Sequence, residues 1–475
     1  MKKIKKYFLR FIPLAILIVF IGLEIMSRGA AVTFNQVMKT QDMLRGTITV
    51  EKIKATPTGK VSFENLIWND PQGNTIVDIA EGGFRVRLWD IVTRHFKSTT
   101  VQELTLSDAN ISLHLDKNMQ VDFVRHSPVF NEVSSQMKSD EDKWETKISR
   151  KDKSEEELKE IGERKRQQQR MKIEKNWKNF NTEGRKLRLK LILKNCNVEI
   201  FYRDRHYLIR GVNFESDIDT TKLLTLNVHT GTFGGTAIGR GVEIHGNIDF
   251  ASKEIPQSNL HILFQDVDPS SLGFGLNLQD QITLIVNLTG PISRPIGDGN
   301  LKIKKLHIPG LEFNRVEGDI HYEDSMLIFS NVTAEVYDGK LIAHGDYNLD
   351  TRYYNIYGHG EGLKANSALP DSHLHCNVDL DLTVQSKGNA RETYTSGSFT
   401  SGEGRYSILK FKSLSGKFQT GYRDLRFFDV MINMGTHQIS TKALSIINKK
   451  LHLEPIIMTD KDGNLLATYI HKNKK

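Results

Sequence analysis

Sixteen histidines in a chain of 475 residues invite a search for chemistry. His373-Leu374-His375-Cys376 is the tightest cluster. Two histidines at i and i+2 share a strand face and could grip a metal ion, but no third ligand follows at a recognisable spacing. Asp379 and Asp381 also share a face, yet a general acid and base need a pocket that the pattern does not supply. His114, His229, His245, His261 and His344 each occupy the polar parity of a separate strand, where water solvates them. Gly231 to Gly241 lacks the Lys-Ser/Thr that completes a phosphate cradle. Gly358, Gly360 and Gly362 precede no helix, so they suit strand edges and turns better than a dinucleotide fingerprint. No Gly-x-Ser-x-Gly elbow exists, and Asn110-Ile-Ser and Asn331-Val-Thr match glycosylation sequons by chance in a chain this long. The residues predict no catalytic site, no metal and no cofactor. The chain reads as a non-enzyme.

The elements that carry these residues are strands. In Met326 to Leu349, Val332, Ala334 and Val336 point one way, Asp338-Gly339 supplies a turn, and Leu341, Ala343, Gly345, Tyr347 and Leu349 resume the apolar parity. One face is apolar and the other polar. The same alternation recurs at Leu187 to Leu193, Ile244 to Phe250, Ile282 to Leu288 and Val378 to Val384. Upstream, Val61 and Phe63, then Phe84, Val86 and Leu88, precede a run from Glu103 to Phe123. Turns are expected there at Asp108 to Asn110 and Asp116 to Asn118. Leu88 to Phe96 reads as a short helix or a strand.

A longer period overlies the strands. Gly318 meets Gly416, Leu327 meets Leu425 and Gly339 meets Gly435 at offsets of 96 to 98 residues, and an earlier pass ends near Phe233 to Gly235. Such self-similarity predicts an array growing in one direction. Roughly 25 strands spaced about 4.8 Å would reach on the order of 120 Å before twist.

Composition narrows the partners. A net charge of +8 spread thinly, with no basic stripe carrying aromatics, argues against nucleic acid. Cys196 and Cys376 are the only cysteines, so a disulfide cannot frame the fold. Lys2, Lys3, Lys5, Lys6 and Arg10 precede an uncharged run from Phe11 to Leu23. A helix from Tyr7 to Met26 would rise about 30 Å, enough to span a bilayer core. We read residues 1–30 as a cytoplasmic basic tip and single transmembrane anchor that sends the rest outward. A cleaved signal peptide is the alternative. Ser134 to Glu183 breaks the β pattern with dense charge, and we expect a long polar helix or helical pair at residues 134–184. Ile173, Trp177 and Phe180 could dock its last turns on the sheet. That insert is either a solvated helix or a lid or partner contact.

The order of segments carries a resemblance. A basic-flanked anchor is followed by GKVSFENLIWNDPQGNTIVDIAEGGFRVRL and VQELTLSDANISLHLDKNMQVDF, and later by VHTGTFGG and AEVYDGKLIAHGDYNLD. This resembles the AsmA family of bacterial envelope proteins, to which TamB is related, over most of the chain apart from the insert. Its motifs are degenerate alternations, so their order carries the likeness. The resemblance implies a mostly β fold: a transmembrane helix, then an elongated, curved antiparallel β-sheet groove of the β-taco type, lined with apolar side chains. We place an AsmA-like β module at residues 31–133 and the repeated groove at 185–475. Alternation alone leaves a closed sandwich open as an alternative. The lack of amphipathic helices to cover the face and the resemblance favour the trough.

The resemblance also implies an inner-membrane protein, its bulk in the periplasm, that conducts phospholipid or another acyl lipid between inner and outer membranes. A bare sixteen-carbon chain in water costs on the order of 12 kcal/mol, which an apolar trough removes along the path. The lining residues expected from apolar parity are Ile282, Leu284, Val286, Val332, Leu341, Tyr347, Val378, Leu380 and Leu382. The rival reading is a TamB-like assembly factor for outer-membrane proteins, with a final strand near Asn464 to Tyr469 that pairs with an outer-membrane partner's edge at the distal end. A soluble periplasmic sandwich scaffold is a third.

Overall fold

The computed structural model describes residues 31, 32, 35, 46–56, 59–87, 89, 90, 93, 100–115, 154–182, 188–202, 204–251, 255–272, 280–308, 311–368, 373–387, 390–422, 424–447 and 450–470. Most of these residues lie in β-strands. Among the described residues no helix is long and apolar enough to cross a membrane, and the expected anchor from Tyr7 to Met26 lies outside them. The chain divides into two compact units, one drawn from residues 1–151, 172–279 and 289–293, the other from 152–171, 280–288 and 294–475.

In the first unit, β1 (Thr47–Ala55), β2 (Lys60–Asn69), β3 (Thr75–Val86) and β4 (Val101–Leu115) form an antiparallel meander. The next element, α1 (Glu155–Thr182), contributes its last turns here, with Trp177 stacked on Phe250 at 5.2 Å. Ile173 is half-buried beside it, and the Phe180 side chain is outside the described set. Then come β5 (Arg188–Tyr202), β6 (Arg205–Asp219), β7 (Leu223–His229), β8 (Phe233–Gly235), β9 (Gly241–Asp249) and β10 (Gln257–Val267). β5 pairs with β6, β6 with both β7 and β8, β7 with β9, and β9 with β10, all antiparallel.

One junction departs from the antiparallel expectation. β4 and β5 run parallel in register from Glu103 opposite Lys190 to Leu115 opposite Tyr202. The physical reason is the connection between them. A parallel neighbour needs a long crossover, and the residues between β4 and β5 include α1. The sheet is therefore mixed. Earlier in this unit, Trp89 and Asp90 are helical, which favours the helix reading of Leu88 to Phe96. Asp90 is buried and accepts a hydrogen bond from the Thr100 hydroxyl at 3.0 Å.

Most of the second unit follows β11 (Ile282–Pro291) through β12 (Ile296–Ile308), β13 (Leu311–Glu323), β14 (Met326–Val336), β15 (Gly339–Asn348) and β16 (Tyr353–Lys364). A short α2 (Ala365–Ala368) and β17 (Leu374–His375) lead to β18 (Asn377–Lys387) and β19 (Thr393–Ser401). β20 (Gly404–Tyr406) and β21 (Leu409–Phe411) join β17 in a separate three-stranded sheet. The main sheet resumes with β22 (Ser413–Thr420), β23 (Asp424–Asn433), β24 (His437–Ile447), β25 (Lys450–Leu453), β26 (Ile456–Asp460) and β27 (Leu465–Tyr469). Its pairing is antiparallel from β12 to β27.

Two expected turns are placed differently. Between β14 and β15 the turn residues are Tyr337 and Asp338, at φ 47° and 59°, and Gly339 already pairs with Val336. Two successive positive φ values match the right-handed twist of the flanking strands, which puts the turn one residue earlier than Asp338-Gly339. Asp108 to Asn110 is no turn at all: β4 runs straight through it with a bulge. Asp108 has φ 50°, a left-handed conformation that Asp and Asn tolerate. Asp116 to Asn118 lies outside the described residues.

That bulge is one of a family. Asn65, Asp108, Asn195 and Gly211 in the first unit, and Arg315, Asn331, Gly362 and Asp429 in the second, are mid-strand residues with positive φ. A bulge adds one residue to a strand and so switches which sequence parity faces the core. In β14 the inward set is Leu327 and Phe329 before Asn331, then Val332, Ala334 and Val336 after it. In β5 it is Leu191 and Leu193 before Asn195, then Cys196 and Val198. Asn331 and Asp429 are 98 residues apart, so the bulge itself repeats with the sequence period.

Candidate functional site

The residues expected to line a groove fall on one face of consecutive strands in the second unit. Following opposed residues from strand to strand traces the rows. One runs Val332, Ala343, Gly358, Leu382, Gly397, Phe418, Phe427 and Leu444. Its neighbour runs Ala334, Leu341, Gly360, Leu380, Phe399 and Gly416. Tyr347 sits between Leu327 and Tyr354, stacking on Tyr354 at 6.1 Å, and Val378 opposes Leu363. Val286 reaches over Gly297, whose partner across β13 is Tyr322, and Ile282 and Leu284 share the parity of Val286. All nine are half-buried except Leu341, which is 8% exposed.

Glycines shape this face. A Cβ on Gly397 would lie 2.7 Å from the Phe418 ring, and one on Gly318 would lie 2.7 Å from the Val332 side chain. Real Cβ atoms do not approach so closely, so the large side chain lies flat across its neighbour's bare backbone. The result is a floor of recumbent apolar groups. Phe399, Phe418, Phe427 and Tyr354 belong to that floor, and strict alternation did not single them out. Their signal was present as a cross-strand partner, which a single strand does not reveal.

The opposite face is polar and cross-linked. The His359 imidazole meets Asp381 at 2.6 Å, and this hydrogen bond raises the His359 pKa above its ordinary value. His321 meets Asp298 and His307 meets Asp280, each at 2.7 Å. Asp379 accepts from the Gly362 N–H at 2.9 Å, satisfying the bulge there. Asn331 donates to Asp319 at 2.7 Å, and Asn300 donates to the same carboxylate at 2.9 Å.

In the first unit the bulge row carries an amide ladder on its outer side. Asn195 Nδ2 donates to Asp108 at 2.6 Å, Asn197 Nδ2 to Asn110 at 2.9 Å, and Asn213 Oδ1 accepts from the Asn195 N–H at 3.0 Å. Behind the ladder, Ala109 and Cys196 are fully buried with Val50, Phe63, Ile79 and Val212. Asn35 completes the β1 edge by bonding both the N–H and the carbonyl of Val50.

The start of α1 belongs to the second unit. Ser154 and Glu157 form a reciprocal cap, at 3.2 and 3.0 Å. Arg166 pairs with Asp350 and donates to the Ser325 hydroxyl, while Arg170 pairs with Asp324, so the helix lies on the β13–β14 and β15–β16 turns. Gly162 admits Asp350, since a Cβ there would sit 2.4 Å from its carboxyl carbon. Partial burial pushes the Asp324 carboxyl up, but Arg294 and Arg170 outweigh it and hold the group below its ordinary range.

Among the described residues no group of three or more His, Cys, Asp or Glu is placed to hold a metal ion. Cys196 and Cys376 are both buried free thiols. Comparison with family models, with curated proteins and with solved structures finds no match to this chain.

Proposed function

We propose that this protein shields lipid acyl chains and conducts them between the inner and outer membranes of a bacterial envelope. In this reading an N-terminal anchor holds it in the inner membrane, and its strands build an elongated trough in the periplasm. The observation that carries the proposal is the continuous apolar floor of the second unit, half-open to solvent and flattened over glycines. Such a floor offers dispersion contacts and dry surface to a methylene chain while a headgroup stays in water. The resemblance to the AsmA family points the same way.

Native mass spectrometry of the full chain tests it. Bound phospholipid is expected, and Leu284→Asp with Leu380→Asp should remove most of it. Asp379→Asn, on the polar face and still able to accept the Gly362 N–H, should leave occupancy unchanged. Equal loss from both variants would overturn the assignment of faces, and no lipid in the wild-type chain would overturn the function.

A second reading rests on β27, which is exposed along its whole length. An extended apolar strand of this kind suits pairing with an outer-membrane protein under assembly. Deleting residues from Leu465 onward should then abolish partner capture while leaving lipid occupancy intact.

A further inference from the structure

The hairpin of β20 and β21 carries an apolar tip on a rigid root. At the root, Phe411 is buried with Ala365, Cys376 and Leu414, and Gly404 lies directly under its ring. β17 pairs along β20, and the Ser407 N–H donates to the His373 carbonyl at 3.0 Å. At the tip, Ile408 is 90% exposed, with Tyr406 and Leu409 at 55% and 56%.

Across the sheets, basic side chains meet acidic ones on neighbouring strands, as Arg315 does Glu335, Lys302 does Glu317 and Lys190 does Glu215. Arg405, Lys410 and Lys412 are exposed and have no ion pair among the described residues. Arg405 and Lys410 oppose each other across the hairpin beside the apolar tip, while the Lys412 side chain lies against Gly435.

We propose that this hairpin tip inserts into the interface of an anionic phospholipid bilayer. Ile408 and Leu409 would enter the boundary of the acyl region, Tyr406 would sit at headgroup level, and Arg405 and Lys410 would meet lipid phosphates. A folded protein partner fits less well, because a stable interface buries about 1,200–2,000 Å² in total and one turn cannot supply that. The inference stands apart from the acyl trough and holds whether or not lipid occupies it.

The test uses the full chain with Ile408→Cys carrying an environment-sensitive dye, the native cysteines being buried. Vesicles of phosphatidylcholine with about one-third phosphatidylglycerol should shift the emission to the blue, and pure phosphatidylcholine should not. The same dye at Gln72→Cys, on an exposed polar turn of the first unit, should stay unchanged. Arg405→Glu with Lys410→Glu should weaken the response at least roughly 25-fold, about fivefold for each cation removed. No shift at Ile408 with anionic vesicles would overturn the proposal, as would an equal shift at Gln72. A shift that needs no vesicles and grows with protein concentration would also overturn it, in favour of contact between copies. Loss of bound lipid from the trough variants leaves this readout in place, so the two proposals fail separately.

Discussion

At the bulge row of the first unit, Ala109 and Cys196 are wholly buried beneath Phe63, Leu106, Leu193 and Phe214. In the second, Val332 and Leu382 remain half-exposed above Gly318 and Gly358, and half-exposed Leu380 pairs across the strands with Gly360. Both faces are built from the same alternating strands and the same left-handed bulges. Glycine opposite a large side chain occurs in both: Phe63, buried in the first unit, lies across Gly82. In both units a large side chain lies flat across a neighbouring glycine, and they differ in how much of that side chain stays exposed. Apolar parity alone therefore does not say whether a face is a sealed interior or a floor.

Chemical denaturation followed by fluorescence should expose the contrast most sharply. Phe63→Ala removes a buried ring from a closed core and is expected to cost about 3–5 kcal/mol. Leu380→Ala, on the half-open floor, should cost only about 1 kcal/mol, since half of its surface was never withdrawn from water. Comparable losses from the two would mean that both faces are interiors. Between these values falls Asn331→Ala, which keeps a β-carbon in the left-handed region but removes the amide that tolerates it and donates to Asp319, and should cost about 1–2 kcal/mol, whereas Asn331→Gly should be milder.

The charged contacts sharpen the comparison at a smaller scale. Because Asp324 is held below its ordinary range, its contribution to seating α1 is present above pH 4 or so and is lost as pH falls through the lowered value. Hydrogen-exchange protection across residues 155–171, taken relative to the intrinsic rate at each pH, should fall on acidification, and Asp324→Asn should lower it at neutral pH. His359 works in the other direction. Its raised pKa means that the Asp381 contact stabilises below the unfolded value of about 6.5 and fades as pH rises through the folded one. An NMR titration should show this shift, and Asp381→Asn should reduce it, leaving the smaller part due to Glu361. The effect on stability will be slight, because the pair is solvent-exposed.

Residue types and their spacing determined the β class, the polar and apolar faces, the helical insert and the period near 98 residues. Those follow from local rules: side chains alternate along a strand, and charged helix formers make helices. The face shared by Val332, Leu341, Leu380 and Leu382 was legible for the same reason. Only the tertiary structure decided that Asp108 and Asn331 are bulges rather than turns or plain strand, because positive φ at an Asn or Asp serves both and the neighbouring strand selects between them. It alone decided the parallel pairing of β4 with β5, which depends on where a long crossover returns. It alone decided which side chains meet glycine across a strand, since register is a relation between segments far apart in the chain. A face is written in one strand; whether it closes is written in its neighbours.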